Sequence, residues 1–147
     1  ANNWDMRAVA ELKPALIDES LTSIDDFRLA MELGWSGIAL KSCKCLSSDL
    51  VLISMAEKSG VPYAVQDLTC PSLALLESVG LASRINTIKG VEANARQFFP
   101  AANEAIAAVH PGIANVRNGC IDTSSLGGHG LGMRVDEMGA GAVPGDR

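Results

Sequence analysis

Several features that place a chain quickly are missing from this sequence. No apolar run approaches the ~18 residues that a membrane span needs. Asn2, Asn3, Asp5 and Arg7 interrupt any signal-peptide pattern at the start. A cytoplasmic chain with no membrane partner is the expectation. Basic residues are not in excess either: 12 Lys plus Arg stand against 17 Asp plus Glu, a net charge of -5. Such a chain repels a phosphate backbone unless its cations cluster, and these are scattered, so nucleic acid is not an expected partner. Cysteine is scarce. Cys43, Cys45, Cys70 and Cys120 show no framework spacing, which excludes a disulfide scaffold. The Cys43-Lys44-Cys45 triplet has no second Cys or His pair at ligand spacing, so the four thiols are expected to be reduced and to pack as small buried hydrophobes. The chain also opens with Ala1 rather than methionine, as a processed, trimmed or fragmentary product would.

What is present is a composition of 147 residues, 48% apolar and 20% charged, which suits one compact domain with its own core. Within it one unit recurs four times: a short apolar run ending in polar residues, a turn with capping residues, then an amphipathic stretch. That is the pattern of βα repetition. The first run, Ala15-Leu16-Ile17, ends at Asp18-Glu19-Ser20. Thr22 and Ser23 then offer helix caps, Asp25 and Asp26 suit a first helical turn, and Gly34 stops the helix. The second run, Gly37-Ile38-Ala39-Leu40, ends at Lys41, and Ser47 or Ser48 caps a helix that Gly60 terminates. The third covers residues 61–65 and ends at Gln66-Asp67, with a helix beginning near Pro71. The fourth is a strand over residues 88–95 that contains Glu92 and Asn94.

From Asp18 to Lys41 is 23 positions, from Lys41 to Gln66 is 25, and from Gln66 to Glu92 is 26, room each time for one strand, one helix and two short loops. Residues 1–99 therefore read as parallel βα units, preceded by the last turns of a helix that Pro14 ends. Residues 100–147 read as a Gly-rich tail with short strands at 113–116 and 120–123, frayed after 139.

Strands covered by helices should be apolar throughout, yet each of these four ends in ionisable or amide side chains. In parallel α/β folds, sites form outside the carboxyl ends of the strands. Asp18, Glu19, Lys41, Gln66, Asp67 and Glu92 thus converge on one mouth; alternatively, each merely starts a loop and caps a helix. A carboxylate on one strand and a lysine on the next suit metal-assisted proton abstraction. There a hard cation stabilises the anion formed, and an amine whose pKa is lowered by burial takes the proton.

These residues carry a resemblance. The segments Ile17-Asp18-Glu19-Ser20-Leu21-Thr22, Ala39-Leu40-Lys41, Val65-Gln66-Asp67-Leu68-Thr69 and Val91-Glu92-Ala93-Asn94-Ala95-Arg96 resemble the fifth to eighth strand ends of the enolase superfamily barrel, in its mandelate racemase and muconate lactonizing enzyme branch. The tail, from Val116-Arg117-Asn118-Gly119 through Asp122-Thr123 to Val135-Asp136-Glu137, is similar to that family's C-terminal segment. The resemblance implies the second half of a (β/α)8 barrel, with Mg2+ as cofactor and a small carboxylate as substrate. It makes Asp18, or alternatively Glu19, a metal ligand and Lys41 the acid/base. Gln66, Asp67, Glu92 and Asn94 would line the substrate, with Arg96 a further candidate.

A whole barrel takes about 250 residues. The first four strands, the capping domain, two metal carboxylates and an opposing Lys-x-Lys pair are therefore expected outside this chain. The intact parent would be an acid-sugar dehydratase, a racemase or epimerase, or a cycloisomerase, and the chain alone is expected to be inactive. Two uncovered sheet edges lead to the expectation of a homo-oligomer or association with the missing half. The alternative function is a non-catalytic, self-associating half-barrel. A nucleotide-binding domain is disfavoured, because the glycines at 127–132 neither follow a strand nor open a helix.

Overall fold

The computed structural model describes residues 4–88 and 90–139, so the expected fraying after 139 lies outside the described residues. It is an α/β fold built on a four-stranded, wholly parallel sheet in the order β1-β2-β3-β4. The strands are β1 (Leu16–Ile17), β2 (Gly37–Leu40), β3 (Tyr63–Gln66) and β4 (Val91–Glu92). Helix α1 (Arg7–Leu12) leads into β1. The crossovers are α2 (Ile24–Glu32), α3 (Leu46–Ser59) and α4 (Leu73–Ala82). Spatial order equal to chain order follows from the near-constant repeat, since each helix returns the chain by one strand spacing. Register brings Leu40 beside Val65 and Gln66 beside Glu92, so the polar residues that follow the strands share one edge.

Local chemistry explains most boundaries. The Ser23 hydroxyl accepts the Asp26 N–H at 3.1 Å and donates to Asp26 Oδ2 at 2.8 Å, a reciprocal cap that starts α2. Gly60 takes φ 66 at the C-cap of α3, a left-handed conformation that a side chain would disfavour. The start of α3 differs from expectation: Cys45, not Ser47 or Ser48, stands at the N-cap. The Ser47 hydroxyl is held by the Cys45 sulfur at 3.2 Å.

The core lies between the sheet and its helices, where Ile38, Leu40 and Val65 meet Phe27, Ile53 and Ala56. Leu75, Leu76 and Val79 of α4 form a second cluster with Ile106 and Ile113. That cluster holds the tail, which is helical rather than stranded: α5 (Ala95–Phe98), α6 (Glu104–Val109) and α7 (Pro111–Ala114). The strands expected at 113–116 and 120–123 are absent; their remnant is a single antiparallel bridge between Arg117 and Cys120. Pro111 occupies the first turn of α7, where its missing N–H costs nothing, and Ile113 on the same short helix is fully buried in the second cluster. The fourth strand is likewise shorter than the expected 88–95, because Asn94 already has helical backbone angles. Farther along, the Arg84 guanidinium clasps the Gly-rich loop through the carbonyls of Gly127 and Gly130. Gly80 lets that loop approach, since a Cβ there would meet the Leu131 carbonyl oxygen at 2.6 Å. Among the described residues no helix is long and apolar enough to cross a membrane.

Candidate functional site

Lys41 is the centre of the polar edge. It directly follows β2 and its side chain is 5% exposed, so its charge is tolerated only with close partners. Three are present, two from the β1 end and one from β3. The Nζ lies 2.8 Å from Asp18 Oδ1 and 3.3 Å from Glu19 Oε1, and it donates to Gln66 Oε1 at 3.0 Å. Three successive strand ends therefore meet on one ammonium. The expectation that burial leaves Lys41 with a lowered pKa does not hold here. Burial alone pulls it down, but the Asp18 and Glu19 carboxylates outweigh that pull and raise it above the ordinary lysine value. As found, Lys41 is a charged proton donor. Lys44 adds a second cation 3.8 Å from Glu19 Oε2.

The remaining expected residues divide into two groups. Gln66 belongs to the cluster, whereas Asp67 is committed to structure: it is buried, and its two oxygens accept the N–H groups of Thr69 at 3.1 Å and Ala95 at 2.9 Å. Glu92 is exposed at the end of β4 and accepts the Asn94 Nδ2 at 2.6 Å, so these two form a local pair beside Gln66 rather than a contact with Lys41. Arg96 does not face the mouth. Its Nε donates to the Ala93 carbonyl at 3.0 Å, and its side chain lines a separate cavity of about 400 Å³ with Val79 and Val116.

For a magnesium ion the fit is one-sided. Asp18 has the right oxygen chemistry, but its buried Oδ1 is already paired with the Lys41 ammonium at 2.8 Å. Glu19, 67% exposed, is the alternative. The described residues, however, contain no group of three His, Cys, Asp or Glu side chains able to hold a metal, and Mg2+ demands several oxygens in octahedral array. The described residues present no such array.

Sequence reading missed other chemistry nearby. Leu21, Thr22, Lys41, Lys44, Cys45 and Asp49 are among the residues lining a cavity of about 210 Å³. Asp49 is buried, its Oδ2 has no partner, and burial, with the Glu77 charge, pushes its carboxyl up to about 6. No cysteine proves to be a core residue: Cys45 and Cys120 are exposed, and Cys43 and Cys70 half-buried. Hydrogen bonds from Ser47 and Ser48 bring the Cys45 thiol down to about 7. The Cys43-Lys44-Cys45 spacing was the available signal. Comparison with known protein families, with curated proteins and with solved structures finds no match to this chain.

Proposed function

We propose that this chain is the C-terminal half of an enolase-superfamily (β/α)8 barrel, of the mandelate racemase and muconate lactonizing enzyme type. The complete barrel then abstracts the proton α to a carboxylate, as an acid-sugar dehydratase, racemase or epimerase, or cycloisomerase. One observation carries the reading: a buried lysine directly after one parallel strand, contacted by a carboxylate from the strand before and an amide from the strand after. Catalytic groups drawn from several strand ends are what a barrel mouth provides. Lys41 Nζ returns a proton to the substrate carbon or takes it away, and Gln66 fixes where that nitrogen sits. Glu92 and Asn94 stand one strand further along, placed to meet the far end of a small carboxylate substrate. Mg2+ belongs to this assignment as an ion shared with carboxylates of the other half, with Asp18 or Glu19 giving one oxygen, and it supplies charge opposite the developing anion.

The second reading, a self-associating half-barrel without chemistry, draws support from the same ion pairs, because Lys41 is satisfied by its own chain. A homo-oligomer or pairing with a first half-barrel fits the two unpaired sheet edges under either assignment.

The test uses the protein carrying the complete barrel. Lys41→Met should abolish exchange of the substrate α-proton with solvent deuterium and leave magnesium affinity nearly unchanged. Asp18→Asn should weaken magnesium binding and slow exchange only as a consequence. Normal exchange in Lys41→Met refutes the assignment.

A further inference from the structure

The cavity of about 210 Å³ beside the Lys41 edge lies between the turn after β1 and the first turns of α3, and the function above makes no use of Asp49 or of the space it lines. The lining is uneven. Leu21, Ala39 and Leu52 give apolar walls, whereas Asp49 brings a carboxylate that is 6% exposed and whose Oδ2 has no hydrogen-bond partner. A buried carboxylate oxygen without a donor is unfavourable, so a ligand that carries a donor to it gains by doing so. Asp49 is fixed in place on α3, where its N–H donates to the Cys45 carbonyl at 3.1 Å. Thr22, on the β1 side, makes a like demand: its hydroxyl already donates to Asp26 Oδ2 at 2.7 Å, so toward the cavity it can only accept. The two lysines that border the cavity do not meet these acceptors. Lys41 is held by Asp18 and Gln66, and Lys44 Nζ lies 3.8 Å from Glu19 Oε2. Among the described residues no third His, Cys, Asp or Glu joins Asp49 and Cys45 in a group able to hold a metal ion, which favours an N–H donor over a bare cation.

We propose that this cavity binds a small primary amine in its ammonium form, one N–H donating to Asp49 Oδ2 and another to the Thr22 hydroxyl, with the carbon body against Leu21, Ala39 and Leu52. An ammonium carries three donors and no acceptor, so it serves both protein oxygens and keeps one N–H for water. Its charge makes the bond to the carboxylate stronger than a neutral alcohol could make. An anion is refused, because it would face Asp49 with nothing to offer. Burial and the Glu77 charge push the Asp49 carboxyl up to about 6, so above that pH the empty cavity holds a negative charge that an ammonium neutralises. Every group named belongs to this chain, so the inference stands whether or not a second half completes a barrel.

The test titrates the folded chain with benzylammonium chloride above pH 7 and follows the backbone amides by proton–nitrogen correlation spectra. Saturable shifts are expected at Leu21, Ser48, Asp49 and Leu52 and not at Ile113, with a Kd of about 1 mM or below. Benzyl alcohol and phenylacetate, similar in size, should each bind roughly tenfold more weakly or worse. Asp49→Asn, its fold checked by an unchanged far-ultraviolet circular dichroism spectrum, should weaken benzylammonium by about tenfold or more. Cys45→Ser should bind as wild type does, which separates the carboxylate from the thiol beside it. Full affinity in folded Asp49→Asn, equal affinity for benzyl alcohol, or no saturable shift at the cavity overturns the proposal.

Discussion

Asp49 offers a direct test of the electrostatics beside the Lys41 edge. It stands in the first turn of α3, is 6% exposed, and carries an Oδ2 with no hydrogen-bond partner. Burial first, and repulsion from Glu77 second, raise its carboxyl from 3.8 to about 6, with Lys44 offsetting only part. The native state thus holds this proton more tightly than the unfolded chain does. Stability from this group is greatest at low pH and is lost as pH rises through about 6, the loss being complete above about 7. At roughly 1.4 kcal/mol per pH unit the full penalty is about 3 kcal/mol. Screening at the cavity mouth, where Lys44 also stands, reduces the expected net to about 1–2 kcal/mol. Asp49→Asn keeps the shape of the protonated carboxyl and removes the titration. Urea unfolding followed by far-ultraviolet circular dichroism should find the variant more stable than wild type by about 1–2 kcal/mol at pH 7.5 and equal to it at pH 4. A wild type more stable than the variant at pH 7.5, or a difference independent of pH, would show that the carboxylate has a partner and would refute the reasoning.

Two further predictions concern the tail. His110 is fully buried, accepts the Arg134 N–H on Nε2 at 3.3 Å, and so donates from Nδ1 to the Ser125 hydroxyl at 3.0 Å. Burial and the Arg134 charge hold the imidazole below its ordinary 6.5, against a smaller opposing pull from Glu137. The stability it lends is present above that pH and is lost as pH falls below it. Hydrogen-exchange protection at Leu126 and Arg134, corrected for intrinsic rates, should fall between pH 7 and 5.5 before that of Ile38 and Val65; a uniform change would refute this. Gly80→Ala gains about 1 kcal/mol of helix propensity. Its Cβ would nevertheless lie 2.6 Å from the Leu131 carbonyl oxygen, and the net should be a loss of about 1–3 kcal/mol with faster proteolysis near Leu131. A stabilised variant would mean that the loop does not pack there.

Legibility in the sequence followed from how local the determinant was. The second strand, at Gly37–Leu40, was readable to the residue, because an apolar run between a glycine and a lysine leaves few alternatives. The Ser23 cap and the Gly60 stop were equally plain, each resting on one residue's own chemistry. The tail was not, because its conformation is decided by what Ile106 and Ile113 pack against, a long-range contact with α4 that no local pattern encodes. In the site, the ends of the runs correctly brought Asp18, Lys41 and Gln66 together. Asp67 was indistinguishable from them by position, and only the backbone of α5 shows where its oxygens are spent. The Lys41 shift ran opposite to expectation because two carboxylates, not one, reach it, and a count of neighbours is a three-dimensional quantity.

The sheet also tapers. Its inner strands have four residues each, while β1 and β4 at the rims have two. A rim that short, bounded on one side by Pro14 and the acidic pair Asp18-Glu19 and on the other by the turn into α5, exposes too few free N–H and C=O groups to template a growing stack of strands. Amyloid-like growth is thereby discouraged while the sheet stands open. A partner that completes the sheet must gain its affinity from side chains on the uncovered face, around Leu16, Ala64 and Gln66, and hydrogen bonds along the rim will serve mainly to set its alignment.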